Sequence, residues 1–440
     1  MEARTGYHVE GRPGVEIARA VQRIFCAVSF FVLIASVVAD TALAQPQLDI
    51  CKPDTSRLGG PSSVQGQLSA DQKKGLSPVN SSGKSTWSDI KDSLSSECGF
   101  SIGGDLNFLG QFSNGGADNR DAVGGVARLF GIWTIIGKGS PDTGAFHFKL
   151  ESRHRLGTSI APQGLGPALG YAGLTSVSFS DAGQLLTNLY WQQTFNNNQF
   201  AFVAGIVDTT DYLDVYNLVS PWTDFNNLVF SNNPTIPAPS QGLGTAILWR
   251  FGDHNYAIAG IADANGQPDD PIQGIKNLFD NGETFKHVEI GWYDTWETRF
   301  SDNYHLSAWQ IDARSDAGIG GGWGLAVHGG RTIAERWTPF IRAGYANGGG
   351  APVDRSVSVG TGYSVFDGRD QLGFGLNWSR SPQDTVVRST RDQYTAEIFY
   401  RYQPMPSLQI TPGLQYLVNP AYAPDITDEL VVGLRVRIVF

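Results

Sequence analysis

The clearest pattern in the chain is an alternation of apolar and polar residues, and residues 429–440 show it best. Every second position there is aliphatic or aromatic: Val432, Leu434, Val436, Ile438 and Phe440. The positions between them carry Gly433, Arg435 and Arg437. Successive side chains of a strand point to opposite faces, so this strand has one apolar and one charged face. Such a strand fits either a soluble sandwich or an outer-membrane barrel with lipid outside and water inside.

The same alternation recurs along the chain and predicts sixteen strands. They lie near 99–113, 124–137, 144–154, 185–194, 199–208, 243–252, 255–264, 284–296, 302–312, 321–329, 337–346, 354–364, 370–380, 391–402, 407–418 and 430–440. Many are about ten residues long, enough for a tilted strand to cross a bilayer, and their number is even, as in single-chain bacterial barrels. We therefore predict an all-β fold, a transmembrane antiparallel up-and-down β-barrel of about 16 strands.

The predicted connections support a membrane barrel over a soluble sandwich. Those after even-numbered strands are short, as at 196–199, 252–254 and 403–407, whereas those after odd-numbered strands are mostly longer, as at 155–184, 209–242, 265–283, 381–390 and 419–429. Short turns on one side and long loops on the other are typical of outer-membrane barrels. The connections 313–320 and 329–336 are an exception, because their lengths are similar.

The N-terminal region predicts export. Arginines precede an apolar run at 24–39, and Ala42 and Ala44 form a small-residue cleavage site, so residues 1–44 are interpreted as a signal peptide rather than a membrane anchor. Residues 45–98 are predicted to be a periplasmic extension, mostly disordered to residue 85, with a short helix over 85–96. The barrel domain then spans 99–440. Too few residues precede it, in this interpretation, for a plug domain.

Composition narrows the functional class. The formal net charge of −10 makes the chain a poor candidate for nucleic acid. Beyond the signal, no apolar run is long enough for a membrane-spanning helix. A barrel of sixteen strands leaves an aqueous channel. Charged residues of both signs on the inward face fit such a channel, because burying them in a dry core would carry a large desolvation cost. The predicted function is therefore passage of solutes.

Several C-terminal motifs resemble a known family. They are GRDQLGFG at 368–375, EIFYR at 397–401, ITPGLQY at 410–416, NP at 419–420 and GLR at 433–435. Over roughly residues 86–440 the chain is similar to the carbohydrate-selective outer-membrane porin family (OprB-type). The resemblance implies a sixteen-stranded barrel for passive diffusion of glucose-like sugars, and it aligns Asp208 with the family's Gly-x-x-Asp strand end. Residues 45–85 and the pair Cys51 and Cys98 depart from the family.

Candidate sugar-binding residues come from the inward strand faces and from the loop 209–242. Sugars offer an apolar ring face to aromatic side chains and hydroxyls to charged or amide groups. We expect the loop to fold inward and narrow the pore, although an outer cover facing lipopolysaccharide is an equal alternative. The predicted substrate-binding residues are Lys149, Glu151, Arg153, Asp208, Tyr212, Trp222, Glu397, Arg401 and Arg435. For any one of them, an ordinary wall charge is the competing interpretation.

Other chemistry is weak in this sequence. Residues 99–103 match G-x-S-x-G, but a helix precedes and a strand follows, which is the wrong context for a nucleophile elbow. We predict no catalytic residue, no metal site and no cofactor, although residues 263–270 carry a calcium-like run of oxygen ligands. Export to an oxidising compartment favours a disulfide between Cys51 and Cys98.

The expected partners are sugars, outer-membrane lipid, lipopolysaccharide and the barrel-assembly machinery, which would recognise the terminal Phe440. The oligomeric state is left open between monomer and homotrimer. Three rival functions remain: a general or ion-selective diffusion porin, a barrel hydrolase using Ser101 and His147, and a soluble exported β-protein for adhesion.

Overall fold

The computed structural model describes residues 58–72, 86–115, 120–366, 368–382 and 391–440. The strands among them are β1 Phe100–Ser113, β2 Asp121–Ile136, β3 Gly144–Arg155, β4 Gly183–Phe195, β5 Phe200–Val207, β6 Gly242–Phe251, β7 Asn255–Asp263, β8 Thr284–Tyr293, β9 Asn303–Ile311, β10 Gly322–Gly330, β11 Trp337–Gly348, β12 Arg355–Val365, β13 Asp370–Arg380, β14 Asp392–Met405, β15 Leu408–Val418 and β16 Asp428–Val439. The helices are α1 Val64–Gln72, α2 Thr86–Cys98, α3 Pro162–Ala168, α4 Leu228–Ser231 and α5 Pro271–Asn281, with a 3₁₀ turn at Thr209–Asp211.

The sixteen strands close into one antiparallel barrel in which each strand pairs with its neighbours along the chain. The seam joins β1 to β16, from the pair Asp105 and Val439 to the pair Ser113 and Val431. Closure pairs the strand edges that an open sheet would leave exposed. The predicted fold class is confirmed, and the strand bounds differ from prediction by only a few residues; β8, for example, ends at Tyr293 rather than at residue 296.

The outward face of the barrel is apolar. On β13, Phe374 and Leu376 are 41% and 46% exposed, so they do not pack in a globular interior. Large apolar side chains are exposed in the same way on most other strands, among them Leu129, Phe146, Leu150, Leu189, Ile247, Trp249, Val288, Ile290, Leu306, Leu325, Ile341, Val359, Ile398 and Leu414. A belt of this extent would aggregate in water, and it matches the lipid-facing band of outer-membrane barrels.

The inward face is largely polar. Arg435 and Arg437 point into the barrel and are 1% exposed, because they contact chain segments that fill part of the lumen. Other buried polar groups of the wall are Asp105, Asn107, Gln111, Arg128, Lys149, Glu151, Asn188, Gln192, Glu289, Ser307, Asn377, Thr395 and Gln415. The alternation predicted from the sequence therefore separates the two faces correctly.

The connections follow the predicted asymmetry. The end that holds the two barrel termini carries mostly short turns, such as 196–199, 252–254 and 406–407, and the other end carries the long loops 156–182, 208–241 and 264–283. The turn at 196–199 needs three consecutive residues with positive φ, which asparagine tolerates better than other non-glycine residues; Asn196, Asn197 and Asn198 have φ of 54°, 57° and 61°.

None of the helices in the described ranges combines the length and apolar character required for a membrane span.

Residues 58–72, named here the N-terminal segment, differ from the expectation of a disordered periplasmic stretch. They enter the barrel, where α1 lies against the inner wall of β1, β2 and β3. Val64 and Leu68 are buried against Phe130 and Ile132, which are apolar residues on the inward face of β2. The prediction failed because the segment is locally polar and its binding surface lies on distant strands. Cys51 falls outside the described residues, so the disulfide with the exposed Cys98 stays a prediction.

Candidate functional site

Residues 208–241, named here the inward loop, leave β5 and turn into the barrel. The loop carries a fully buried aromatic cluster: Phe225 lies 4.9 Å from Phe230 and 5.0 Å from Phe399 of β14, measured between ring centroids. Each large apolar side chain removed from water contributes about 1.5–3 kcal/mol. The loop is therefore packed against the wall, and of the two alternatives weighed from the sequence the inward one holds.

Glu289 of β8 fixes the first part of the inward loop. Its Oε2 accepts hydrogen bonds from the backbone N–H of Asp214 at 2.7 Å and from Ser307 at 2.6 Å, and its Oε1 accepts from Tyr256 at 2.8 Å. A carboxylate that receives three donors is well satisfied in a buried position. The loop backbone is thus tied to three neighbouring strands.

Arg342 of β11, three strands away from β8 in the barrel, binds the same part of the loop. Its guanidinium forms an ion pair with Asp214 and donates to the carbonyl oxygen of Phe230 at 2.8 Å. His305 Nε2 donates to the other oxygen of Asp214 at 2.9 Å. Burial opposes ionisation of Asp214, but these two partners outweigh it and lower its pKa.

Three of the predicted sugar-binding residues hold the far half of the loop instead of facing open space. Glu397 accepts from the backbone N–H groups of residues 226 and 227 at 2.8 and 3.0 Å. Arg435 donates to the carbonyl oxygens of Pro221 and Asp224 at 2.7 and 2.9 Å. Arg401 forms an ion pair with Asp224 at 3.2 Å. The structure thus places these charges beneath the loop, where they position it.

A cavity of about 380 Å³ lies between the inward loop, the wall of β3 and the long loops of the rim. This volume is in the range of small-molecule sites. Five predicted residues line it together: Lys149, Glu151, Arg153, Asp208 and Trp222. Further polar residues of the lining, none of them among the predicted substrate-binding residues, are Ser62, Gln163, Ser178, Thr210, Asp211, Asn232, Ser240, Gln241 and Arg314.

Charges of opposite sign alternate across this cavity. Arg153 Nε donates to Glu151 at 2.7 Å, and Lys149 Nζ lies 3.5 Å from Asp211 Oδ2. Asp211 also accepts from Asn188 at 3.1 Å, while its second oxygen has no partner among the described residues. Burial raises the pKa of Asp211 to about 6, against the opposing effect of Lys149. The spacing of Asp208, Asp211 and Asp214 along the loop is a sequence signal that could have identified this residue.

The two aromatic residues predicted to bind sugar, Trp222 and Tyr212, lie in different environments. Trp222 borders the cavity, with the guanidinium of Arg128 at 3.9 Å from its ring centroid and Phe179 at 5.6 Å. Tyr212 is buried among apolar side chains and lies 5.5 Å from the ring of His287, away from the cavity lining. Only Trp222 is thus placed to meet a solute. No cluster of three or more metal-binding side chains occurs within the described ranges.

Lowering the pH through about 6 is expected to shift the ion selectivity of the pore toward anions. Asp211 takes up a proton as the pH falls through its raised pKa, so the cavity loses one negative charge. The reversal potential in planar bilayers under a KCl gradient measures this, and it should shift toward anion permeability between pH 7.5 and 5. The variant Asp211→Asn should show no such step; an unchanged step in that variant would assign the titration to another group.

A closed barrel of sixteen strands with an apolar outer belt, a polar lumen and an inward loop defines an outer-membrane porin. Residues 326–440 match the family model described as carbohydrate-selective porin, OprB family. The resemblance carried by the C-terminal motifs is thereby confirmed over residues 326–440, and the apolar belt of the barrel places the protein in the bacterial outer membrane.

One of the solved structures compared agrees with the fold. The high-pH structure of Pseudomonas putida OprB superposes with a TM-score of 0.61 at 16% identity, covering 81% of this chain and 97% of that chain. A triple mutant of the Rhodopseudomonas blastica porin gives a TM-score of 0.48 at 13% identity, covering 78% of this chain and 100% of that chain. No curated protein matches the sequence.

Proposed function

We propose that the protein is a passive porin that favours carbohydrates of glucose-like size. The observation that carries the proposal is the cavity on which Lys149, Glu151, Arg153, Asp208 and Trp222 converge. The match of residues 326–440 to the carbohydrate-selective family supports the same substrate class. The barrel needs neither an energy source nor a cofactor for this role, because diffusion through a water-filled lumen proceeds down the concentration gradient.

The cavity suits a neutral solute with many hydroxyl groups. Carboxylates accept from hydroxyls, and lysine and arginine donate to them, so a sugar can exchange its water partners for wall groups of both kinds. Trp222 is 4% exposed because Arg128 and Phe179 cover most of its indole, and the part that borders the cavity is apolar surface for a pyranose ring. A neutral solute also avoids the repulsion that alternating charges impose on an ion of either sign.

Liposome swelling tests the proposal. Glucose is expected to enter faster than neutral solutes of similar mass that lack the sugar hydroxyls. Trp222→Ala should weaken glucose block of the ion current by about two- to tenfold, from an aromatic contribution of about 0.5–1.5 kcal/mol. Trp222→Phe, which keeps a ring, is the matched control. Swelling rates set by solute mass alone would refute the carbohydrate preference and favour the general or ion-selective porin.

We propose that the barrel performs no hydrolysis. Ser101 Oγ lies 3.3 Å from Ser95 Oγ, and His147 Nδ1 lies 3.2 Å from the hydroxyl of Tyr190. A catalytic triad requires contact between nucleophile and base, whereas each of these two side chains contacts a different polar neighbour. A fold and family of diffusion channels support the same view. Loss of an esterase activity on Ser101→Ala would overturn it.

We also propose how the chain is exported and assembled. Residues 1–44 would be removed as a signal peptide, leaving the extension 45–98 ahead of the barrel domain 99–440. Phe440 is 38% exposed at the end of the seam, where its N–H donates to Gly104 at 3.0 Å, so its ring is accessible to the assembly machinery. The long rim loops would face lipopolysaccharide, and the barrel would act as a monomer or homotrimer.

A further inference from the structure

Two wall arginines hold the polar side of the N-terminal segment. Arg437 of β16 makes a two-fold contact with the carboxylate of Asp71, at 3.1 and 3.2 Å. Arg128 of β2 donates to Gln67 at 2.9 Å. Both arginines share Asp105 of β1 as a second acceptor, so the charges of this buried network compensate each other. Such a network is stable only when all its members are present.

The apolar side of the segment covers inner-wall patches that water would otherwise touch. Val64 and Leu68 pack on Phe130, Ile132 and Ala145, which belong to the inward faces of β2 and β3. At the start of the segment, Leu58 is 5% exposed and joins a cluster with wall residues that include Tyr190, Ala201, Val203, Ala246 and Leu248. An empty water-filled lumen gives no reason for apolar residues on its inner wall. These patches fit a segment that resides in the pore.

The leading end of the segment touches the inward loop. The N–H of Gly60 donates to the carbonyl oxygen of Asp211 at 2.6 Å, and a Cβ at Gly60 would lie 2.2 Å from Val215 Cγ1. Ser62 lines the cavity, and its carbonyl oxygen lies 3.5 Å from Lys149 Nζ. The segment therefore forms the floor of the cavity, on the side of the barrel termini.

We propose that residues 58–72 are a resident second constriction, which lies on the periplasmic side of the inward loop and sets the size limit of the pore. Solutes that leave the cavity pass along the remaining lumen beside α1, where Ala70 is exposed. Ser62, Gln67 and Asp71 thereby become part of the permeation path. The inference rests on the barrel being a diffusion pore, and it holds whichever solute the pore prefers.

The first test replaces residues 58–72 by a Gly/Ser linker of equal length within the full chain. Single-channel conductance in planar bilayers should rise severalfold, and liposome swelling should extend to larger oligosaccharides that the native pore excludes. Unchanged conductance and an unchanged size limit would overturn the proposal. If the linker variant has wider pores but the native pore shows no sugar preference, the proposed function is refuted and this inference stands.

The second test leaves the segment in place, so it decides the matter even if the linker variant fails to fold. In a Cys51→Ser, Cys98→Ser background, Ala70→Cys is labelled with a bulky charged thiol reagent. Conductance should fall on labelling, and it should fall by different factors for positive and negative labels of the same size. Gln273→Cys, exposed on α5 at the rim, is the matched control and should conduct unchanged. A labelled Ala70→Cys pore with native conductance would overturn the proposal.

Discussion

Replacing Arg342 with alanine is expected to release the inward loop and widen the pore. The change removes the ion pair with Asp214 and the hydrogen bond to the carbonyl oxygen of Phe230, leaving a buried carboxylate without its main partner. Breaking a buried pair in this way costs about 3–5 kcal/mol, which water entering the lumen will reduce. Larger and noisier single-channel currents, together with a lower midpoint of denaturant unfolding, would show the effect.

Ser358→Ala is the matched control for this prediction. Ser358 also reaches the inward loop, donating to the carbonyl oxygen of Val229 at 2.9 Å, but this contact is one neutral hydrogen bond worth about 1 kcal/mol. Its hydroxyl also accepts from Asn377 of the wall at 2.9 Å. Arg342→Lys should fall between the two, because an ammonium keeps the charge and loses the planar fork. Native currents from Arg342→Ala would mean that Glu289, Glu397 and Arg435 suffice to hold the loop.

Leu376→Arg is expected to destabilise the barrel by about 2–4 kcal/mol, because the side chain lies on the lipid-facing side of β13 near the bilayer midplane. Leu372→Arg, on the same strand and face but closer to the barrel end, should cost only about 0–1 kcal/mol. Unfolding in lipid vesicles, followed by heat-modifiable gel migration, measures both. Equal effects at the two positions would contradict a membrane-facing belt and favour the soluble β-protein.

The strands and faces of the barrel could be predicted because their signal is local. The alternation of apolar and polar residues along β13, from Leu372 to Trp378, indicates which side chains face lipid and which face the lumen. The β1–β16 seam follows from the even strand count and the need to pair edges. Short turns such as 196–199 could be predicted from their own residues, here three consecutive asparagines.

The interior of the barrel was harder to predict because its contacts join residues far apart in the sequence. Lys149, Glu151 and Arg153 were found together because they share one strand face. Glu397 and Arg435 were correctly placed in the lumen, but their loop partners lie near residues 221–227, and nothing in either local sequence encodes that pairing. The contacts of the N-terminal segment are equally distant in sequence. The segment is mostly polar, so its three apolar contact residues, Leu58, Val64 and Leu68, give no clear pattern.

Arg437 links the last strand of the barrel to the segment that precedes the first strand. This arginine sits in the last strand, three residues before the C-terminus, yet it binds Asp71, which precedes the first strand. The carboxylate of Asp105, on β1, completes the arrangement only when β16 lies beside it. An assembly intermediate with an open seam therefore lacks the contact of Arg437 with Asp71, and its N-terminal residues have only the surfaces of β2 and β3 to bind until the wall closes.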